Sequence, residues 1–325
     1  MNIFTSDFDS LYYDSKTRED NESGRKTIKS GNRVSYEYAR KAVELYCKCI
    51  SCGSSVLTKS LPKLLTLWFT FTELTDGNSE SSDSLKKSQN LLCDLVEKLI
   101  HKKSSTAWYV CIGQLVSRTG HSNSRTLLLT KDIIQRTLEN FPRQTIWQIA
   151  GLLHSGDENR KLAGKKIVQN AVNSLQRRGD SVEDVKMLIQ AESLFSSLIE
   201  LSVYRPTEKN QKTLVWAAAK TFSGSNLARF IVPSQSALSI RLPTAQPSNL
   251  LSATFATDLE FIDSFSSNVV VLSSKARPKI IEVTTSHGNL VKVRHNSLTV
   301  VNRFSRLASF WSSMKGMVIS EKMPD

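Results

Sequence analysis

Ser273, Ser274, Lys275, Ala276, Arg277, Pro278 and Lys279 bring two hydroxyls and three cations into seven residues. Apolar, β-branched runs stand on both sides: Val269, Val270, Val271 and Leu272 before, and Ile280, Ile281 and Val283 after. Such runs favour extended strands, so the segment reads as a strand, a basic turn and a second strand. Hydroxyls and backbone amides in a turn of this kind can meet phosphate oxygens, with Lys275, Arg277 or Lys279 supplying charge. Taken alone such a turn is most often just an ordinary hairpin. What precedes and follows it must decide.

Upstream the chain is helical. From Ala107 to Arg118, Trp108, Cys111, Ile112, Leu115 and Val116 recur at three- and four-residue steps and predict one helix of roughly three turns. Gly120 is expected to take a left-handed conformation after it, and Ser122, Asn123 or Ser124 to cap the next helix. That helix carries Leu127, Ile134 and Leu138, and Phe141-Pro142 ends it. Ile146, Trp147, Ala150 and Leu153 stripe a third, in which Trp147 is expected to be buried between helices. Ala163, Ile167 and Ala171 stripe a further helix ending near Gly179, and Val185, Leu188, Ile189 and Ile199 one beyond that. Thr213 to Phe222 reads as a last short helix before strands take over at Ile231. Helices with one apolar stripe each cannot bury it alone and must stack on neighbours, which predicts an α-solenoid of helical hairpins.

Nearer the start, residues 1–34 are polar and show no sustained period. Tyr38, Ala42, Leu45 and Tyr46 then share a helical face, which Gly53 is expected to end. In Ser60-Leu61-Pro62-Lys63-Leu64-Leu65-Thr66-Leu67-Trp68, Pro62 suits a first helical turn, with Leu64, Leu67, Trp68 and Phe71 facing inward. Leu85, Leu92, Val96 and Leu99 stripe the helix after the polar loop from Thr75 to Ser84.

The chain has 325 residues, room for about two domains. Its 43 Lys and Arg against 30 Asp and Glu leave a net charge of +13. The basic residues fall in scattered pairs such as Lys102-Lys103 and Arg177-Arg178, with no aromatic residues interleaved as a stacking platform. Direct nucleic-acid binding is therefore not expected, although a basic solenoid that binds nucleic acid stands as an alternative. No apolar run approaches the roughly 20 residues of a membrane span. Met1 to Ser10 lacks the order of a secretory signal. Cys47, Cys49, Cys52, Cys93 and Cys111 have no histidine at ligand-like spacing, so reduced thiols are expected and no metal site.

Several words stand in a familiar order: Ser60 to Trp68, then Trp108-Tyr109-Val110-Cys111-Ile112-Gly113-Gln114-Leu115-Val116-Ser117-Arg118, Gly120-His121-Ser122, Phe141 to Gln148, and Ile231-Val232-Pro233-Ser234-Gln235-Ser236. This series resembles the late FAT domain and the start of the kinase amino-terminal lobe of the ATR-type checkpoint kinases, in the phosphatidylinositol kinase-related protein kinase family. The likeness runs over roughly residues 35 to 292. It implies a mainly α fold, a FAT-type solenoid followed by a small β-rich partial kinase lobe. The expected division is a loose segment 1–34, helical repeats 35–230, a partial lobe 231–295 and a divergent tail 296–325.

The resemblance implies that Ser273 to Lys279 is the loop covering the ATP phosphates, and that the chain is a segment of a serine/threonine kinase of DNA damage and replication stress signalling. For the parent it implies ATP with magnesium or manganese, phosphorylation commonly before Gln, a nuclear location, an ATR-interacting protein-like subunit, and the remainder of the kinase as partners. Thr285-Ser286-His287-Gly288-Asn289 resembles the family's next hairpin, with His287 in place of an acid. The ATP-contacting lysine of the family would fall near Asn296. Lys292, four residues early, lies about 13 Å out of place on a strand and does not inherit the role. No catalytic loop with a base Asp, and no metal-binding Asp-Phe-Gly type motif, precedes Asp325. No catalytic or metal residue is expected in this chain. A helical-repeat interaction scaffold without catalysis is the other alternative.

Overall fold

The structure is a computed structural model and describes residues 38–48, 50, 57–74, 79–103, 105–205, 211–233, 259–273 and 277–295. Two compact units divide at Lys102 and Lys103. The expected ends of the first helix at Gly53 and of the loop at Thr75 lie outside the described residues, as do Ser274, Lys275 and Ala276.

In the first unit, helix α1 covers residues 38–48 and buries Ala39, Ala42 and Val43, while Tyr38 and Leu45 are exposed. Of the expected face Ala42 is thus buried and Tyr46 half-buried, while the inward side centres on Ala39, Ala42 and Val43. Helix α2 (Leu57–Glu73) buries Leu64, Trp68 and Phe71 as expected and leaves Leu67 half-buried. Because α2 already begins at Leu57, Pro62 lies inside it and not in its first turn. Helix α3 (Ser79–Lys102) buries Leu85, Leu92, Val96 and Leu99. Its buried Gln89 donates to the Phe71 and Leu74 carbonyls at 3.0 and 2.9 Å, meeting backbone acceptors at the end of α2 that no helical amide can reach.

The second unit opens with α4 (Ser105–Tyr109) and α5 (Ile112–Ser117), two short pieces where one helix is expected. Trp108 and Tyr109 are adjacent and both 3% exposed. Both rings lie in α4, so that piece is buried on adjacent sides, and the chain breaks two residues later at Cys111, which precedes α5. Gly120 does not take positive φ, whereas Asn123 does cap α6 (Ser124–Asn140), accepting from the Thr126 amide at 3.0 Å. The buried face of α6 includes Thr126, Thr130 and Thr137 beside Ile133, Ile134 and Leu138. Thr130 and Thr137 donate to carbonyls one turn back, at 2.8 and 2.7 Å, which is how hydroxyls tolerate this core.

Helices α7 (Pro142–Leu153), α8 (Glu158–Arg178) and α9 (Val182–Val203) complete the stack. Asn170 on α8 donates to Gln135 on α6 at 3.0 Å, and Arg178 pairs with Glu139 further along both, so α6 and α8 run in the same direction. Arg143 at the start of α7 meets Asp184 at the start of α9 at 2.5 Å. Alternate helices therefore align, as stacked helical hairpins require. The α7–α8 approach is closest at Gly164, where an added Cβ would stand 2.9 Å from the Leu152 side chain and 3.1 Å from its carbonyl carbon. Gly179 ends α8 in the left-handed region at φ 70°. Ile189 on α9 is exposed, contrary to expectation; Met187, Leu188, Ala191, Leu194 and Phe195 take the buried positions.

Beyond α9 the expected helix from Thr213 to Phe222 is instead strand β1 (Thr213–Val215) and a 3-10 turn at Ala217–Lys220. Pairing with β2 (Ile262–Val271) decides this, through Leu214 opposite Val269, because strand partners distant in sequence override local helix preference. β3 (Lys279–Thr285) and β4 (Leu290–His295) follow in a four-stranded antiparallel sheet of order β1-β2-β3-β4.

Candidate phosphate loop and comparison with known proteins

The two strands flanking the basic turn form as the β-branched runs predict. Val271 of β2 faces Lys279 of β3, and the Leu272 amide donates to the Pro278 carbonyl at 2.9 Å. The base of the turn is thus closed. Ser273 is exposed at one stem. Arg277 at the other is half-buried, with φ 42°, the one non-glycine positive φ among the described residues. A backbone in that region costs on the order of 1–3 kcal/mol and persists only where its surroundings enforce it.

Lys279 lies elsewhere. It is 1% exposed, and its Nζ donates to the Ser202 carbonyl at 2.8 Å, in the last turn of α9. Burial, and then the neighbouring Arg205 cation, pull its ammonium below its ordinary pKa. The signal was present in the alternation of β3, where Lys279, Ile281, Val283 and Thr285 form the buried row while Ile280, Glu282 and Thr284 take the other face. A turn-based reading places the lysine outward; strand parity turns it in.

Ser273 and Arg277 stand at the described ends of the turn, and the Lys279 ammonium donates to the Ser202 carbonyl. On the neighbouring hairpin Gly288 takes φ 77°, and its amide donates to Thr285 at 2.9 Å. His287 and Asn289 both reach Glu260, at 3.3 and 2.7 Å. Lys292 lies opposite Glu282, 3.8 Å away and largely exposed. Among the described residues no cluster of three or more His, Cys, Asp or Glu is arranged to hold a metal ion. Cys93 and Cys111 are buried, and burial pushes the Cys111 thiol up to about 12.

The sheet is fastened to the helices by a strap from Ser223 to Val232. Lys186 and Gln190 of α9 donate to the Ser225 and Asn226 carbonyls at 3.2 and 2.7 Å, and Gln190 accepts from the Ala228 amide at 2.7 Å. The Ile262 amide donates to Phe230 at 2.8 Å, and the Val232 amide to Glu260 at 3.0 Å. Trp147 is half-buried against Phe195 and Phe230, and not enclosed between helices as expected. Its Nε1 donates to the Ile231 carbonyl, which keeps one edge of the ring at the strap. Arg143 and Arg229 lie over the Phe261 ring at 5.2 and 4.1 Å.

Residues 91–194 match the family model described as serine/threonine-protein kinase ATR-like, HEAT repeats. The serine/threonine-protein kinase ATR of Arabidopsis thaliana is 28% identical over 298 residues, covering 86% of this chain and 11% of that protein. The serine/threonine-protein kinase MEC1 of Candida albicans is 26% identical over 271 residues, covering 82% of this chain and 11% of its own length. The FAT and kinase domain of CtTel1 shares the fold with a TM-score of 0.53 at 15% identity, over 88% of this chain and 18% of that one. The chain thus spans about a tenth of the curated relatives it matches. The match of residues 91–194 and the likeness to ATR and MEC1 over most of this chain, with stacked helical hairpins leading into an antiparallel sheet, make it similar to a segment of the ATR-type kinases.

Proposed function

We propose that this chain serves as part of a serine/threonine protein kinase of DNA damage and replication stress signalling, in the nucleus. Residues 35–230 supply the FAT scaffold and 231–295 the opening of the kinase amino-terminal lobe. The observation that carries the reading is the closed basic turn between β2 and β3, in a sheet that follows helical repeats similar to those of ATR. In the assembled parent, Ser273, Ser274, Lys275, Ala276 and Arg277 cover the ATP phosphates, while Pro278 and Lys279 form the stem. Backbone amides and cations suit phosphate oxygens, and magnesium or manganese bound with ATP neutralises the transferred group. The remainder of the kinase, an ATR-interacting protein-like subunit and protein substrates phosphorylated before Gln are the partners of that parent.

Phosphoryl transfer needs an acceptor-orienting group and metal-holding acids, neither of which the sequence supplies in recognisable form. The chain alone is expected to hold ATP no better than roughly millimolar, about 4 kcal/mol of binding. The test combines ATP titration, followed through the amides of residues 272 to 277 and of Lys279, with a phosphorylation assay on a Ser-Gln peptide with magnesium or manganese. Weak perturbation confined to the turn and no incorporation are expected. No perturbation at the turn at tens of millimolar ATP would overturn the phosphate-loop assignment. Incorporation above a Lys275→Ala control would show a transfer site within residues 1–325.

A further inference from the structure

We propose that Lys279 is a positioning residue: it ties the β3 stem, beside Arg277 and Pro278, to the carboxy-terminal end of α9 through the Ser202 carbonyl, so that the closed stem depends on the helical repeats. Two unmet needs are joined there. The last carbonyls of a helix have no helical amide to accept from, and Ser202 is the penultimate residue of α9. An ammonium that is 1% exposed needs an acceptor, and the partial negative charge at a helix carboxy terminus suits a cation. The 2.8 Å contact answers both across 77 positions of sequence.

The location of the tie gives it leverage. Lys279 is the first residue of β3 and adjoins Pro278, whose carbonyl closes the turn by accepting from Leu272. Arg277, next again, holds the positive φ. Three consecutive residues therefore carry the strained backbone, the closing hydrogen bond and the tie to α9. A strained backbone relaxes unless its flanks are held, and Lys279 holds one flank from the buried face of the sheet. The role of Ser202 is equally specific, since its own hydroxyl turns back to Ile199 at 2.7 Å and leaves the carbonyl for the lysine.

The part of this inference that concerns nucleotide rests on the phosphate-loop reading; the tie itself does not. The test compares the unaltered chain with Lys279→Met, which keeps length and apolar stem but removes the donors. Amide hydrogen exchange is read at Leu272, with Ile281 in the same sheet as the internal reference, and ATP titration at low salt is followed in parallel. Lys279→Met is expected to speed Leu272 exchange at least tenfold relative to Ile281 and to weaken the ATP response at least threefold, with Lys279→Arg recovering part of both. Leu272 changing no more than Ile281 overturns the proposal. If ATP leaves the unaltered turn undisturbed while Leu272 still accelerates in Lys279→Met, the tie stands and the phosphate reading falls. Should Lys279→Met fail to fold, the unaltered chain decides. The Leu272 amide and the Tyr204 amide, which donates to Glu200 at the end of α9, are then expected to share one denaturant dependence, and separate openings overturn the tie.

Discussion

Trp147 donates from Nε1 to the Ile231 carbonyl at 3.1 Å, joining α7 to the strap before the sheet across 84 positions of sequence. The same ring packs against Phe195 at 5.0 Å and Phe230 at 6.0 Å between centroids. Its two contributions can be separated. Trp147→Phe removes the hydrogen bond and keeps most of the ring contact, with an expected cost of about 1 kcal/mol. Trp147→Ala removes both, at about 3 kcal/mol, the low end for a large aromatic because the ring is half-buried. Urea unfolding of the two variants checks the ranking, and equal losses would mean that the hydrogen bond alone matters.

Gly164 and Gly113 form a matched pair. At Gly164 a Cβ collides with Leu152, backbone included, whereas at Gly113 nothing lies within 4 Å. Gly164→Ala is expected to lose about 1–3 kcal/mol through overpacking of α7 on α8. Gly113→Ala, inside α5, is expected to gain about 0.5–1 kcal/mol from lower backbone entropy in the unfolded chain. Thermal melts of the two variants shifting the same way would contradict the close approach.

His154 sets an acid limit. Burial lowers its pKa from the ordinary 6.5, and Lys165 and Lys161 reinforce that shift against the opposing pull of Glu192. Its Nε2 is buried without a hydrogen-bond partner. The folded chain therefore binds this proton less readily than the unfolded chain. Stability is full above about pH 6.5 and declines as pH falls from there through the folded-state pKa. His154→Gln is expected to flatten that part of the stability curve, measured by denaturant titration at successive pH values.

Cys111 is expected to resist alkylation. With its thiol pushed up from 9.0 to about 12 by burial, the reactive thiolate is scarce at pH 8. Labelling by iodoacetamide, read by peptide mass spectrometry, should run at least about a hundredfold slower in the native chain than in guanidinium. Because the folded state keeps this proton longer, the associated stability is present below about pH 9 and is lost as pH rises beyond it. Comparable native and denatured rates would place Cys111 at the surface.

Much of the helical part was legible because an amphipathic helix advertises itself locally. Trp68 with Leu64, Leu85 with Leu92, and Ala163 with Ile167 recur at helical spacing and are buried as that spacing implies. Asn123, Pro142 and Gly179 mark helix ends through short-range backbone chemistry alone. The ATR resemblance was equally readable, being a matter of ordered words.

What tertiary structure decided were choices between partners far apart in sequence. Thr213 to Val215 became a strand because β2 offered it a ladder. The helix expected through Cys111 is two pieces, one ending at Tyr109 and the next starting at Ile112. Lys279 shows the limit most clearly: its charge and its place after Pro278 suggest a phosphate ligand, and its place in the β3 alternation suggests an inward side chain. Only the arrival of the Ser202 carbonyl at the end of α9 makes the inward position tolerable for an ammonium, because a charge enters a protein interior where an acceptor waits for it. That acceptor comes from another element, and no local pattern announces it.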